Sequence, residues 1–178
     1  MKLSFQKQDC DVSLSEGIEE YRNYLKANGR YVLGENCSPA ERLTILNHDA
    51  QHVIFGLDTS LEEEAMLDCW LFFGGNYIQL IRDYFSGSLE LKETKEKVNE
   101  LVREVGYLKS FYYYSKVVLL KWPKIFIRTI KMKKKWNYFM SEVLLTEKIS
   151  SIRDSYNIRI LSNEERKIKK VNWSRAIS

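Results

Sequence analysis

Residues 38–64 read SPAERLTILNHDAQHVIFGLDTSLEEE, and the spacing inside this stretch decides the fold class. Ser38 can cap a helix, Pro39 is tolerated at the first helical position, and Glu41, three residues on, completes a capping box. Leu43, Leu46, Ala50 and Ile54 then recur at three and four, the apolar stripe of a helix that Gly56 ends. Thr59-Ser60-Leu61-Glu62 repeats the capping pattern and opens another helix. Between these two starts lie His48 and His52, the only histidines of the chain, four residues apart. Residues at that spacing share one helix face, so two imidazoles converge, with Asp49 beside them and Glu64 arriving from the next helix.

Nitrogen and carboxylate ligands in this number suit zinc, iron or manganese, with zinc first, and suit magnesium less. The predicted site is mononuclear: His48, His52 and Glu64, with Asp49 as a fourth ligand or a partner behind the ligands. Asp49 is also the candidate catalytic side chain. Other metal chemistries fit less well. A zincin needs Glu between its histidines, where this chain has Asp49. An HD-type phosphohydrolase needs further histidine and aspartate ligands, and a ferritin-like centre needs two Glu-x-x-His units. His48 or His52 can in principle act as the base for a nucleophile, but no nucleophile is paired with them. A His-x-x-x-His pair also occurs as two polar residues on a helix surface. Acids at a helix start are favoured by the dipole whatever their function, so Glu62 is assigned to the cap and Glu63 to solvent, and Glu64 is taken as the ligand by its offset from the histidines alone. Two histidines and one carboxylate leave coordination positions open, which is the arrangement of a catalytic site.

His-Asp-x-x-His, eleven residues, then Glu resembles the metal-ligand signature of the coenzyme Q biosynthesis protein 4 family. Gly56 and Thr59 fall where that family tends to place a glycine and a threonine, and Arg153 to Ile158 gives a weaker echo. The similarity runs from Asn47 to Glu64. One departure is Glu63, where the family commonly has glycine. The resemblance implies a helical domain with an apolar, lipid-accommodating interior and a role in forming ubiquinone or a related quinone. It also implies a polyprenylated aromatic intermediate as ligand. The associated activity is a lyase reaction, removal of the ring carboxyl from a polyprenylated hydroxybenzoate, linked to hydroxylation at that carbon. The family has also been regarded as a non-catalytic scaffold that organises other quinone-biosynthesis enzymes at a membrane surface.

The whole chain agrees with a helical reading. Its 178 residues, 44% hydrophobic, fit one globular domain over 1–178 with a substantial core. Eight glycines and two prolines are too few breakers for a many-turned β fold. Five or six helices and no sheet are expected. The first spans 13–28, capped by Ser15 and ended by Gly29. The helix from Thr59 runs to about Tyr84, with Gly74-Gly75 allowing close packing or a kink. A fourth covers 89–114 after a turn at Ser86-Gly87-Ser88. Trp122-Pro123 interrupts the pattern, and a fifth covers 124–147 with Ile125, Phe126, Ile130, Trp136, Phe139, Met140, Val143 and Leu144 buried. A short helix follows in 148–160, and the tail from Glu164 is expected to fray. Cys10, Cys37 and Cys69 form no Cys-x-x-Cys motif, as a reduced cytoplasmic compartment explains. No leader-like stretch opens the chain.

Charge is unevenly placed. Residues 1–115 carry a net −7, residues 116–135 carry eight basic residues and no acid, and residues 136–178 carry +3. Trp122, Phe126 and Trp136 interleave with this basic run, which ends in Lys133, Lys134 and Lys135. The pattern suits contact with an anionic membrane at its inner face, or a helix face that is merely solvated. Nucleic acid is not expected, because no binding motif accompanies the patch. A homo-oligomer is compatible with the composition.

Overall fold

The computed structural model describes residues 3–30, 32, 37–76 and 106–167, with isolated positions at 82, 96, 99, 100, 102 and 103. The described residues form six α-helices: α1 Leu14–Ala27, α2 Pro39–Phe55, α3 Leu61–Gly74, α4 Tyr107–Thr129, α5 Ile149–Tyr156 and α6 Asn163–Arg166. Short 3-10 turns lie at Ser4–Gln6 and Glu142–Thr146, and no strand occurs among the described residues. The protein is an all-α single domain, as the capping and periodicity required. The third helix, expected to run to about Tyr84, ends at Gly74, where Gly75 turns extended; the expected turn at 86–88, residues 77–81 and most of 83–105 lie outside the described residues.

Local chemistry sets where each helix begins. Ser13, not Ser15, caps α1: its hydroxyl accepts from the Glu16 N–H, and the Glu16 carboxylate takes the Ser13 N–H at 2.8 Å. Ser15 has Ile18 at the matching position, which cannot return the bond. Ser38 caps α2 as expected, accepting from the Glu41 N–H. For α3 the cap moves to Ser60, whose hydroxyl accepts from the Glu63 N–H.

Packing corrects several expectations. On α2, Ala50 and Ile54 are buried but Leu43 is 45% exposed, because Ile45, Val53 and Phe55 carry the inward face. One long helix, α4, replaces the expected break at Pro123. Pro123 sits on the exposed side of α4, where the Leu119 carbonyl that loses its amide partner lies at the surface. Val117, Ile125 and Thr129, buried on either side of it, hold the helix against the core. The predicted helix over 124–147 ends at Thr129 instead. Beyond it the Trp136 N–H donates to the Gly74 carbonyl at 2.8 Å, and the Asn76 N–H donates to the Trp136 carbonyl at 2.9 Å. These bonds to the end of α3 take the place of helical ones. Ile130 and Val143, expected inside, are 64% and 69% exposed. Gly74 makes the close approach possible, since a Cβ there would meet Thr129 Cγ2 at 2.8 Å.

Two buried arginines tie the ends of the chain to the helices. Arg153, fully buried at the start of the weaker family echo, donates to the carbonyls of Phe5, Lys7, Val53 and Ile54. Val53 and Ile54 are in the last turn of α2, where carbonyls lack helical partners and a cation is favoured. Arg166, expected to lie in a fraying tail, is buried and places Nη1 3.5 Å from Glu63 Oε2. The Ser162–Glu165 capping box forms α6, and Arg128 of α4 donates to both Glu165 oxygens at 2.8–2.9 Å. The tail is therefore packed over 164–167, and the rest of it lies outside the described residues.

Candidate metal centre

The end of α2 and the start of α3 are set by one short connection. Gly56 takes the left-handed conformation (φ 70°) and lets the Leu57 N–H return to the His52 carbonyl at 2.8 Å. The Asp58 carboxylate accepts from the Ser60 N–H, and Glu63 turns back to accept from the Asp58 N–H at 2.6 Å. Glu63 is thus buried in the connection and against Arg166, not turned to solvent as its place at a helix start suggested. Its neighbour Glu64, 100° further around the helix, is carried to the histidines. The residue that departs from the family's glycine therefore stays out of the group of ligands.

His48 and His52 lie one turn apart with ring centroids 4.7 Å from one another. Glu64 Oε1 is 3.1 Å from His52 Nε2, and Glu64 Oε2 is 3.6 Å from His48 Nε2. One ligand atom from each residue lies within 4.8 Å of the others, a group that could hold a metal ion. Two ligand atoms on a tetrahedral ion with bonds near 2.1 Å are ~3.4 Å apart, so these separations need only small adjustment. His52 supplies a second test of fit. It is fully buried and stacked on Tyr21 at 5.1 Å, its Nε2 faces the Glu64 carboxylate, and Nδ1 has no hydrogen-bond partner among the described residues. Both atoms of that Nε2–Oε1 contact are ligand types, so an ion between them would replace one polar contact with two. His48 and Glu64 keep about a third of their side-chain surface, 34% each, so the group is reachable from outside.

Asp49 does not join the group. It points 100° away from His48 around α2 and accepts from Arg22 Nε of α1 at 2.7 Å. Of the two roles read for it, a fourth ligand is corrected to a buried partner of Arg22. The sequence reading missed Arg22, Tyr21 and Asp68. Asp68 lies four residues after Glu64, one turn along the same row of α3, and accepts from the Tyr114 hydroxyl of α4 at 2.7 Å. That four-residue spacing was a legible signal, whereas Arg22 and Tyr21 come from a helix whose position only the tertiary fold sets.

Charge in the group is mutually reinforcing. Burial alone would lower the His48 pKa, but its contact with the Glu64 carboxylate and the charges of Glu64, Asp49 and Asp68 push it up to about 9. Burial alone would raise Glu64, yet the charge of His52 and the contacts to both imidazoles hold it well below the usual carboxylate range. Asp49 and Asp68 are both raised, by burial before anything else. A pH dependence follows for metal-free protein. His48 is raised from 6.5, so its stabilising contribution is complete below that pH and is lost as pH rises through about 9. Glu64 is depressed from 4.5, so its contribution is present above that pH and is lost on acidification. With chelator present, Tm is expected to be highest between pH 4.5 and 6.5 and to fall towards pH 9. In His48→Gln the alkaline part of that fall should vanish; an unchanged fall in the variant would show that the pair does not contribute.

Set beside protein-family models, curated proteins and solved structures, the chain matches none.

The lipid-contact residues read from the sequence separate in space. Trp136 is buried, packed on Phe55 and Tyr156, and cannot reach a membrane from there. Its burial follows from the pairing with Gly74 that ends the helical path. Trp122 and Phe126 are each 38% exposed and pack on Phe73. Lys133, Lys134 and Lys135 are exposed, and Lys134 Nζ stands 4.0 Å from the centre of the Tyr156 ring.

Proposed function

We propose that the protein binds one divalent ion through His48, His52 and Glu64 and acts in the formation of ubiquinone or a related quinone. The proposed reaction is removal of the ring carboxyl of a polyprenylated hydroxybenzoate. The observation that carries the reading is convergence. Of the four residues that match the family signature in sequence, three, His48, His52 and Glu64, bring their ligand atoms together among the described residues, while Asp49 faces Arg22. Zinc suits two imidazoles and a carboxylate, and iron or manganese suits them also. A bound ion with open positions would supply a Lewis acid for a substrate carboxylate or phenolate. The chain's own residues do the rest. Tyr21 fixes the His52 ring by stacking, Arg22 holds Asp49 behind the ligands, and the Gly56 turn fixes the reach of Glu64. Asp68 and Tyr114 present a carboxylate and a hydroxyl one helical turn beyond Glu64, where a polar ring substituent can be bound.

The test is incubation of metal-loaded protein with a polyprenylated hydroxybenzoate, with products followed by mass spectrometry. Wild type is expected to give a product lighter by CO₂, and His52→Ala, with its helical circular dichroism intact, to give none. A second reading is favoured by the exposed apolar residues of α4: a lipid-binding scaffold whose metal is structural. Absence of turnover with zinc, iron and manganese alike, together with co-purified prenyl lipid, would select it.

A further inference from the structure

α4 is 23 residues long, ~34 Å at 1.5 Å per residue, yet only one of its faces is buried. Ser110, Val117, Ile125 and Thr129 point inward. About half a turn around lie Leu108, Tyr112, Leu119, Phe126, Ile127 and Ile130, between 38% and 87% exposed. Single exposed apolar residues need no explanation, but a continuous row along six turns does. Its electrostatic setting is equally one-sided. From Gly106 to Ser141 the chain has nine basic residues and no acid, and exposed Lys109, Lys116 and Lys131 flank or interrupt the row, while Lys124 stands 4.0 Å from Glu165.

We propose that this outer face of α4 docks on an anionic phospholipid surface. A bilayer interface offers the two things the face requires together, hydrocarbon for the row and phosphates for the lysines. Lysine stems extend along the apolar surface and carry their charges outward to the headgroups. A second copy is a poor occupant, since two such faces would oppose lysine to lysine with no acid between them. No nucleic-acid-binding motif accompanies the face. The helix would lie on the membrane and not cross it: no helix among the described residues is long and apolar enough to span. The face differs from the Lys133–Trp136 segment that the sequence suggested, because Trp136 is inside. It stands independently of the metal reading, although the Tyr114–Asp68 bond links α4 to the row of α3 that carries Glu64.

Co-sedimentation of the full chain with vesicles of phosphatidylcholine alone, or mixed with phosphatidylglycerol, tests the proposal. Binding is expected only to the mixed vesicles and should weaken in 1 M salt, where the Debye length is ~3 Å. Lys109→Glu/Lys116→Glu and, separately, Leu119→Ser/Ile127→Ser should each reduce vesicle affinity roughly tenfold or more. All four positions are exposed, and unchanged circular dichroism verifies the fold of each variant. Equal recovery with both vesicle types, or none with either, overturns the proposal. So does a wild-type dimer in light scattering that Leu119→Ser/Ile127→Ser dissolves without any effect on vesicle binding.

Discussion

His52→Ala is expected to lose about a hundredfold or more in zinc affinity, beyond the 10–100-fold typical of residues that only support ligands. His52 is the one ligand that is completely buried, and its Nε2 is held 3.1 Å from Glu64 Oε1 inside the group. Wild type at zinc concentrations of ~100 Kd should gain ~2.7 kcal/mol of stability, visible as a rise in Tm that chelator reverses. Glu64→Gln should lose most of that rise, since a neutral amide is a weaker ligand and no longer complements two imidazoles. Asp49→Asn should keep wild-type stoichiometry, because that carboxylate faces Arg22. Elemental analysis and calorimetric titration read these outcomes. A His48→Ala/His52→Ala protein that still carries one ion per chain would remove the basis of the site.

Arg153→Met should destabilise the domain by ~3–5 kcal/mol, a large part of the 5–15 kcal/mol typical of a domain. Methionine fills much of the space, so the cost lies in polarity. Four carbonyls within 2.8 Å of the guanidinium, from Phe5, Lys7, Val53 and Ile54, lose their donor inside the core. Burial draws the Arg153 pKa down to about 10, so the group is still a cation at neutral pH and complements the C-terminal end of α2. Lysine at this position keeps the charge but not the fork of donors, and should recover only part of the loss. Urea unfolding gives the numbers; a loss under ~1 kcal/mol would show that water replaces the guanidinium at little cost.

What these experiments probe divides between information carried along the chain and information that exists only after folding. The helical class, the Ser38 cap, the Gly56 stop and the His48–His52 pair were legible because each depends on residues a few positions apart, whereas Glu64 was singled out from its neighbours by the offset of the resembled family. Capping, left-handed glycine and i, i+4 spacing are local physics. Where two local solutions competed, the near-neighbour chemistry still decided, as when Glu16 selected Ser13 over Ser15.

The expectations that failed depended on distant partners. Pro123 is a breaker by propensity, but buried Val117 and Ile125 around it made continuation of α4 more favourable. Trp136 looked like an interfacial anchor until Gly74, over sixty residues earlier, accepted its N–H and Phe55 and Tyr156 enclosed its ring. Glu63 looked solvated until the Asp58 amide and Arg166 claimed it. Asp49 could be a ligand or a supporting group on spacing alone, and Arg22, brought by α1, gave it the supporting place. The sequence by itself determined a helical chain with two imidazoles on one face and a carboxylate within reach. Only the tertiary structure decided which charges are buried against one another and which apolar residues stay outside, because those choices depend on desolvation and packing between segments far apart in the chain.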